Sequence, residues 1–266
     1  MSTESRAPLP QRVLVTGASR GIGRAIARAL SLRGARLALV GRDRAALESV
    51  TSGVAEHALL VADLAQPGAG ERCVDRACDA LGGLDALVCS AGVVEYQAIG
   101  AIDRAALERQ LTLNASVPFM MAQRALDPIA RAGGGAMLFI ASTLGLKPEA
   151  PLTSAYAASK AALISLTRSL ALELGPRAIR VHAIAPGVID TDMARTLREP
   201  AASLSLVERE AGVARQIESL RRLHPLGRLG TPEDVAETAL YLLAAPFVTG
   251  AVVAVDGGLL LGQGSL

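Results

Sequence analysis

Aromatic residues make up 2% of the 266-residue sequence, lysine occurs twice, and cysteine and histidine occur three times each. Few aromatics, no basic run interleaved with them and a formal charge of +2 argue against nucleic-acid binding, which needs stacking surfaces and concentrated positive charge. Cys73, Cys78 and Cys89 lack metal-ligand spacing with the histidines, so no metal site is expected. Their odd number, with no signal-peptide core in "MSTESRAPLPQR", points to packed thiols in a reducing compartment. No apolar run reaches membrane-span length. These absences predict a soluble cytoplasmic protein without membrane or nucleic-acid partners. Residues 1–10 read as a loose arm and 11–266 as one domain.

What the chain does have is apolar bulk, 51% hydrophobic residues, arranged in short runs that alternate with longer helical segments. "RVLVT" (12–16), "ARLALVG" (35–41), "HALLVAD" (57–63), "DALVCSAG" (85–92), "AMLFIAS" (136–142), "IRVHAIAPG" (179–187) and "AVVAVDGG" (251–258) lack polar alternation. That pattern marks strands buried on both faces of a parallel sheet. Helices are predicted over 23–33, 44–52, 70–81, 103–131, 154–174 and 232–244. Leu163, Leu166, Leu170 and Leu174 form one apolar stripe, and Pro118 and Pro128 are expected to bend or end the long helix containing them. The fold class is α/β, a doubly wound parallel sheet with its ligand beyond the carboxyl ends of the strands. From Asp190 to Leu223 no strand signal occurs, and one or two short helices around Pro200 and Gly212 are expected to cover the site.

Two stretches carry chemistry. "TGASRGIG", Thr16 to Gly23, joins the first strand to the first helix: Gly17 permits the turn, Gly21 lets backbone approach a pyrophosphate, Gly23 allows close packing, and free helix N–H groups attract phosphate. Tyr156, one of three tyrosines, stands four places before Lys160, so both side chains occupy one helix face. A phenol with a pKa near about 10 is a poor acid or base at neutral pH, and a nearby ammonium lowers that value.

With "SAG" (90–92), Asn114, "ASTLG" (141–145), "YAASK" (156–160), "IAPGVIDTDM" (184–193), "GRLGTPEDVAE" (227–237) and "VDGG" (255–258), the chain resembles the short-chain dehydrogenase/reductase family over nearly its whole length. 3-Oxoacyl-acyl-carrier-protein reductases have the closest overall look. The resemblance implies a Rossmann-type domain, a nicotinamide cofactor and a ketone or secondary alcohol as substrate. It makes Tyr156 the proton donor to the carbonyl oxygen, Ser142 its hydrogen-bonding partner, Lys160 the ribose ligand and Asn114 the support of a proton relay. It places Ser19, Arg20 and Ile22 with the glycines of the loop, Asp63 and Leu64 by the adenine, and Ser90, Ala91 and Gly92 along the cofactor. Pro186, Gly187, Ile189 and Thr191 fall at the nicotinamide end. A homo-oligomer, commonly a tetramer, is likewise implied.

Charge at the end of the second strand bears on the choice of cofactor. Family members that take NAD usually carry an acidic residue where this chain has Gly41 followed by Arg42. A guanidinium pairs with the 2′-phosphate of NADP, which a carboxylate repels. NADP(H) is therefore expected, Arg20 adding a second cation, unless Asp43 turns inward.

The departures are informative. The interval between Ser142 and Tyr156 is one residue longer than the family's usual one, so either the intervening loop holds an insertion or Thr143 takes the serine's place; the offset to Gly145 favours Ser142. "NNAG" reads "CSAG" at 89–92, His182 replaces an asparagine as a hydrogen-bonded core residue, and Glu95-Tyr96 replaces an Arg-Asp pair. Together with the long lid, whose Leu197, Leu204, Leu206, Val207, Val213, Ile217, Leu220 and Leu223 suit an apolar guest or their own packing, these changes leave a polyketide, steroid-like or other apolar ketone open. The leading expectation is an NADPH-dependent carbonyl reductase; an NAD-linked alcohol dehydrogenase and a nucleotide-binding scaffold without turnover are the alternatives.

Overall fold

The computed structural model describes residues 9–50, 57–197 and 206–262. Most of the expected terminal arm, together with Pro200 and Leu204, lies outside them, as do the side chains of Leu206 and Val207. All seven expected strands form: β1 (Arg12–Thr16), β2 (Arg36–Gly41), β3 (Ala58–Val61), β4 (Ala86–Cys89), β5 (Gly135–Ile140), β6 (Ile179–Pro186) and β7 (Val252–Val255). They pair in parallel in the order β3-β2-β1-β4-β5-β6-β7, so the chain reverses direction across the sheet between β1 and β4. That switch opens a crevice at the strands' carboxyl ends.

The helices are α1 (Gly21–Ser31), α2 (Arg44–Glu48), α3 (Ala69–Leu81), α4 (Arg104–Leu111), α5 (Val117–Arg131), α6 (Ser154–Leu174), α7 (Asp192–Arg195), α8 (Leu206–Arg222) and α9 (Pro232–Ala244). One face of the sheet packs Leu14, Leu87, Phe139, Val181 and Ala183 against α3, α5 and α6. The other packs Val13, Val15, Leu138 and Ile184 against α1 and α9. Alternate residues of each strand thus enter different cores, which is why the strands show no polar period. Each fully buried Leu or Phe contributes roughly 1.5–3 kcal/mol, so cutting Phe139 at the centre to alanine would cost about 3–5 kcal/mol.

Local signals set several boundaries. Asp43 caps α2 by accepting from the Ala46 N–H, Asp103 caps α4, and Thr231 with Asp234 forms a capping box at α9. On α6 the leucine stripe is buried at Leu163, Leu170 and Leu174. Elsewhere the expectation holds only in part. Pro118 is the second residue of α5, which follows directly on a π-helical turn with helical backbone, and α5 continues past Pro128 to Arg131. Between α4 and α5 the α-helical bonding is interrupted by that π-helical turn, Thr112–Ser116, which ends two residues before Pro118. Gly212 does not divide the lid, because α8 runs through it with Leu197 packed alongside.

Candidate active site

The site is assembled at the carboxyl ends of β1, β4, β5 and β6. Thr16, ending β1, accepts through Oγ1 from the N–H groups of Ser90 and Ala91 (3.1 Å each), which bolts the exit of β4 to the glycine loop. Gly17 has φ +64°, and a Cβ on it would lie 2.8 Å from the Ala91 nitrogen; any side chain would drive these two loops apart. Gly23 packs against the Gly17 carbonyl, so its closeness serves the loop's own turn. Gly21 faces the Thr191 methyl. No side chain caps the start of α1, which leaves its N–H groups available to phosphate.

Around this loop stand most of the predicted nucleotide residues. Ser19 lies beside Gly41 at the end of β2, Ile22 packs into the α1 core, and Arg42 is exposed. Asp63 is exposed and holds the Ala65 N–H, while Leu64 is buried. Pro186 closes β6, Gly187 donates to the Val255 carbonyl (3.0 Å), and Ile189 is buried in a bridge to Gly230. Thr191 donates to the Ile189 carbonyl. Arg20 meets Asp192 of α7 at 3.4 Å, both largely in solvent, so it links the loop to α7.

The other half of the site is built from buried side chains. Ser142 follows β5 and starts the short turn Thr143–Gly145, its Oγ accepting from the Leu144 N–H (3.2 Å). A Cβ on Gly145 would lie 2.7 Å from the Lys160 backbone; the turn is pressed directly onto α6, which is the reason for glycine at this offset. Tyr156 and Lys160, on the first turns of α6, are 9% and 4% exposed. The Lys160 Nζ lies 5.7 Å from the Tyr156 ring centroid and donates to the Ile140 carbonyl (2.7 Å). Ser142 and Thr143 are both buried at this turn. In the loop between Gly145 and Tyr156, Leu152 takes a left-handed φ of 65°, at a cost of roughly 1–2 kcal/mol.

Asn114 sits in the π-helical turn and is fully buried. Its carboxamide accepts from the Val93 N–H (2.9 Å) and donates to the Val93 carbonyl (2.8 Å) and the Ser159 Oγ (3.0 Å). Ser159 in turn donates to the Tyr156 carbonyl (2.7 Å). Asn114 is thus tied to α6 through Ser159, a residue the sequence reading did not single out; nothing in "YAASK" distinguishes it from an ordinary helix-face serine. A Cβ on Gly92 would lie 3.1 Å from Asn114 Oδ1 and 3.4 Å from Lys160 Nζ, a tight fit between the two.

The electrostatics differ from expectation. Burial pushes the Tyr156 phenol up to about 12, with the Ser142 hydrogen bond pulling the other way. Burial likewise brings Lys160 down to about 8. Desolvation is the largest influence on both groups, because it penalises the charged form of each. Cys89, where the family pattern has an amide, is a buried thiol raised further by burial and opposed by the Lys160 charge. His182, expected to be a hydrogen-bonded core residue, is fully buried, and among the described residues neither ring nitrogen has a partner; burial lowers it to about 4. Among the described residues no cluster of metal-ligating side chains occurs, and no helix is long and apolar enough to cross a membrane. A groove of about 360 Å³ on the lid is lined by Arg195, Arg209 and Val213 of α7 and α8, with Ile217 beside them; none of the predicted site residues borders it.

A crossover of strand order, a glycine loop at its edge and a buried Ser–Tyr–Lys group at one strand end define a nucleotide-dependent oxidoreductase of α/β architecture. A family model described as enoyl-(acyl carrier protein) reductase matches residues 17–260, and the chain belongs to the short-chain dehydrogenase/reductase family. It is 34% identical to carbonyl reductase family member 4 of Xenopus tropicalis, over 93% of this chain and 97% of that one. Galactitol 2-dehydrogenase of Agrobacterium fabrum is 37% identical over 92% of this chain and 95% of its own. Among solved structures, the aldohexose dehydrogenase of Thermoplasma acidophilum superposes with a TM-score of 0.84 at 28% identity, covering 98% of each chain. Family membership brings a nicotinamide cofactor and oxidoreductase chemistry on alcohols or ketones.

Proposed function

We propose that the chain is an NADPH-dependent carbonyl reductase in which Tyr156 is the catalytic acid. The observation that carries this reading is the buried pair of Tyr156 and Lys160 on one face of α6, the Lys160 Nζ 5.7 Å from the Tyr156 ring centroid. Burial keeps the phenol protonated through the neutral range, and the ammonium of Lys160 beside it favours the phenolate left when that proton passes to an oxygen gaining negative charge, which is the need of ketone reduction. Ser142, fixed by its turn, hydrogen-bonds the same oxygen and stabilises the developing charge. Lys160 holds its ammonium beneath the phenol by donating to Ile140, with further N–H groups for ribose hydroxyls. Asn114 keeps Val93 and Ser159 in place, so that the segment leaving β4 and the first turns of α6 remain in register. The nicotinamide, when bound, supplies the hydride.

The residues around the glycine loop fit a dinucleotide: a turn that admits no side chain at Gly17, an uncapped helix start and two arginines, Arg20 and Arg42, in solvent. Asp43 is engaged as the cap of α2, which supports NADP(H) over NAD(H), since the carboxylate nearest Arg42 is turned to backbone N–H. The α7–α8 segment acts as a substrate lid, linked to the loop by Arg20 and Asp192. The names of the relatives, one a carbonyl reductase and one a sugar-alcohol dehydrogenase, agree with a ketone–alcohol pair. The test is absorbance-followed oxidation of NADPH and of NADH with a panel of ketones. Faster NADPH consumption is the expected result; cofactor binding without consumption across the panel would favour a scaffold, and preference for NADH would reverse the cofactor assignment.

A further inference from the structure

His224 stands just beyond α8, 3% exposed, with both ring nitrogens on backbone groups. Nδ1 meets the carbonyl of Leu220, one turn back, at 2.8 Å. Nε2 accepts from the Val188 N–H at 3.3 Å. A carbonyl only accepts and an N–H only donates, so the ring carries its single proton on Nδ1 and is neutral. Beside it lies Gly257, φ +57°, on which a Cβ would sit 3.5 Å from the His224 ring. The imidazole is therefore wedged between the end of α8, the stretch that continues β6 and the turn after β7.

That stretch, 187–191, is otherwise held by backbone. The Gly187 N–H donates to Val255 of β7 (3.0 Å), the Val188 carbonyl accepts from the Gly230 N–H (3.0 Å), and the Asp190 N–H donates to the Gly230 carbonyl (2.8 Å). His224 supplies one further rung, a side chain doing for Val188 what a neighbouring strand would do. It also makes α8 part of the same frame. Gln216 of α8 donates to the carbonyls of Ala194 and Thr196 at the end of α7 (2.9 Å each), and Arg195 of α7 holds Asp190 (2.7 Å). His57 offers a comparison inside the molecule. It too accepts a backbone N–H, from Leu37 at 3.2 Å, and meets Ser31 Oγ, but near the amino end of β2, the opposite end of the sheet from the site.

We propose that His224 is a positioning residue for the dinucleotide: it holds the stretch carrying Gly187, Ile189 and Thr191 in register with α8, so that the nicotinamide meets a surface already in its bound form. This rests on the reductase reading, in which those three residues lie at the nicotinamide end. A buried N–H deprived of its acceptor must find another, and Val188 can do so only by shifting the stretch. A cofactor that draws the stretch back into place loses affinity in doing so and, once bound, reacts at the same rate.

The experiment follows binding of NADPH and of NADH to the full chain by nicotinamide fluorescence, which needs no ketone, and then kcat with a ketone that is turned over. In His224→Asn the carboxamide reaches the place of Nδ1, so Leu220 is served and Val188 is not; in His224→Gln it reaches the place of Nε2 and can accept from Val188. His224→Asn is expected to weaken the preferred dinucleotide about fivefold, equivalent to about 1 kcal/mol, with kcat at saturation within about twofold of the parent. His224→Gln is expected to stay within about twofold of the parent in both. His224→Leu, which offers neither contact, should match the asparagine variant and takes its place where that variant does not fold. His57→Leu should lower the melting temperature and leave dinucleotide affinity unchanged. Parental affinity in His224→Asn or His224→Leu, equal weakening in His224→Asn and His224→Gln, or as large a weakening in His57→Leu, would overturn the role of His224 and leave the reductase reading standing. A parent chain that binds neither dinucleotide would overturn both.

Discussion

The two halves of the cleft are built from opposite materials. At the nucleotide end, function is carried by backbone: Gly17 against Ala91, the free start of α1, and arginines that reach into water. At the chemistry end it is carried by side chains taken out of water, with Tyr156 and Lys160 almost fully buried and Asn114 spending its whole carboxamide on neighbours. The difference teaches where tuning comes from. A backbone cradle binds by shape and dipole and tolerates solvent, whereas proton transfer needs a pKa set by desolvation and a few fixed hydrogen bonds. Substitutions at the chemistry end should therefore change rate by orders of magnitude, and those at the nucleotide end should mainly change which cofactor is used.

The largest effect is expected from Tyr156→Phe, which removes the acid: kcat should fall by about 10²–10⁴-fold while NADPH binding, followed by nicotinamide fluorescence, persists. Retention of the parental rate would end the comparison, since the buried end would then carry no chemistry. Ser142→Ala should lower kcat by about 10²–10³-fold and Thr143→Val by less than about fivefold; the reverse order would transfer the serine's role to Thr143.

The next effect is on stability and pH. His182 titrates near 6.5 when unfolded and at about 4 in the fold, so the native state binds fewer protons between those values. Its share of the stability is constant above about pH 6.5 and is lost as the pH falls toward 4, by about 3 kcal/mol in all. Denaturant titrations at pH 7 and pH 4.5 should show a smaller acid loss for His182→Leu than for the parent. At the nucleotide end, Arg42→Asp exchanges an attraction for a repulsion and should move the NADPH/NADH ratio of kcat/KM toward NADH by at least about tenfold, or about 1.4 kcal/mol. Smallest of all, Asp43→Ala should cost about 1 kcal/mol of stability through the lost cap with that ratio unchanged. A ratio that moves would show that Asp43 faces the cofactor.

Much of this was legible beforehand, for reasons that differ from place to place. Buried parallel strands announce themselves as apolar runs between glycines and prolines, and all seven were found with ends displaced by no more than a few residues. Tyr156 and Lys160 were visible because a helix puts residues four apart on one face. The π turn at Asn114 was not, since it inserts its extra residue without needing a proline or glycine; Pro118 marked where the helix is interrupted but not how, and Pro128 marked no interruption. Ser159 and His224 look like ordinary residues until the chain beside them is in place.

By itself the sequence determined the order of strands and helices, the glycine loop and the family, because these depend on residue type and on spacing along one element. Tertiary structure alone decided that Tyr156 and Lys160 are both taken out of water, that the turn holding Ser142 is pressed onto α6, and that His182 has no partner among the described residues. Each of those outcomes depends on how much water is excluded and on which groups from distant elements arrive within hydrogen-bonding distance. Neither quantity is a property of any single stretch of chain.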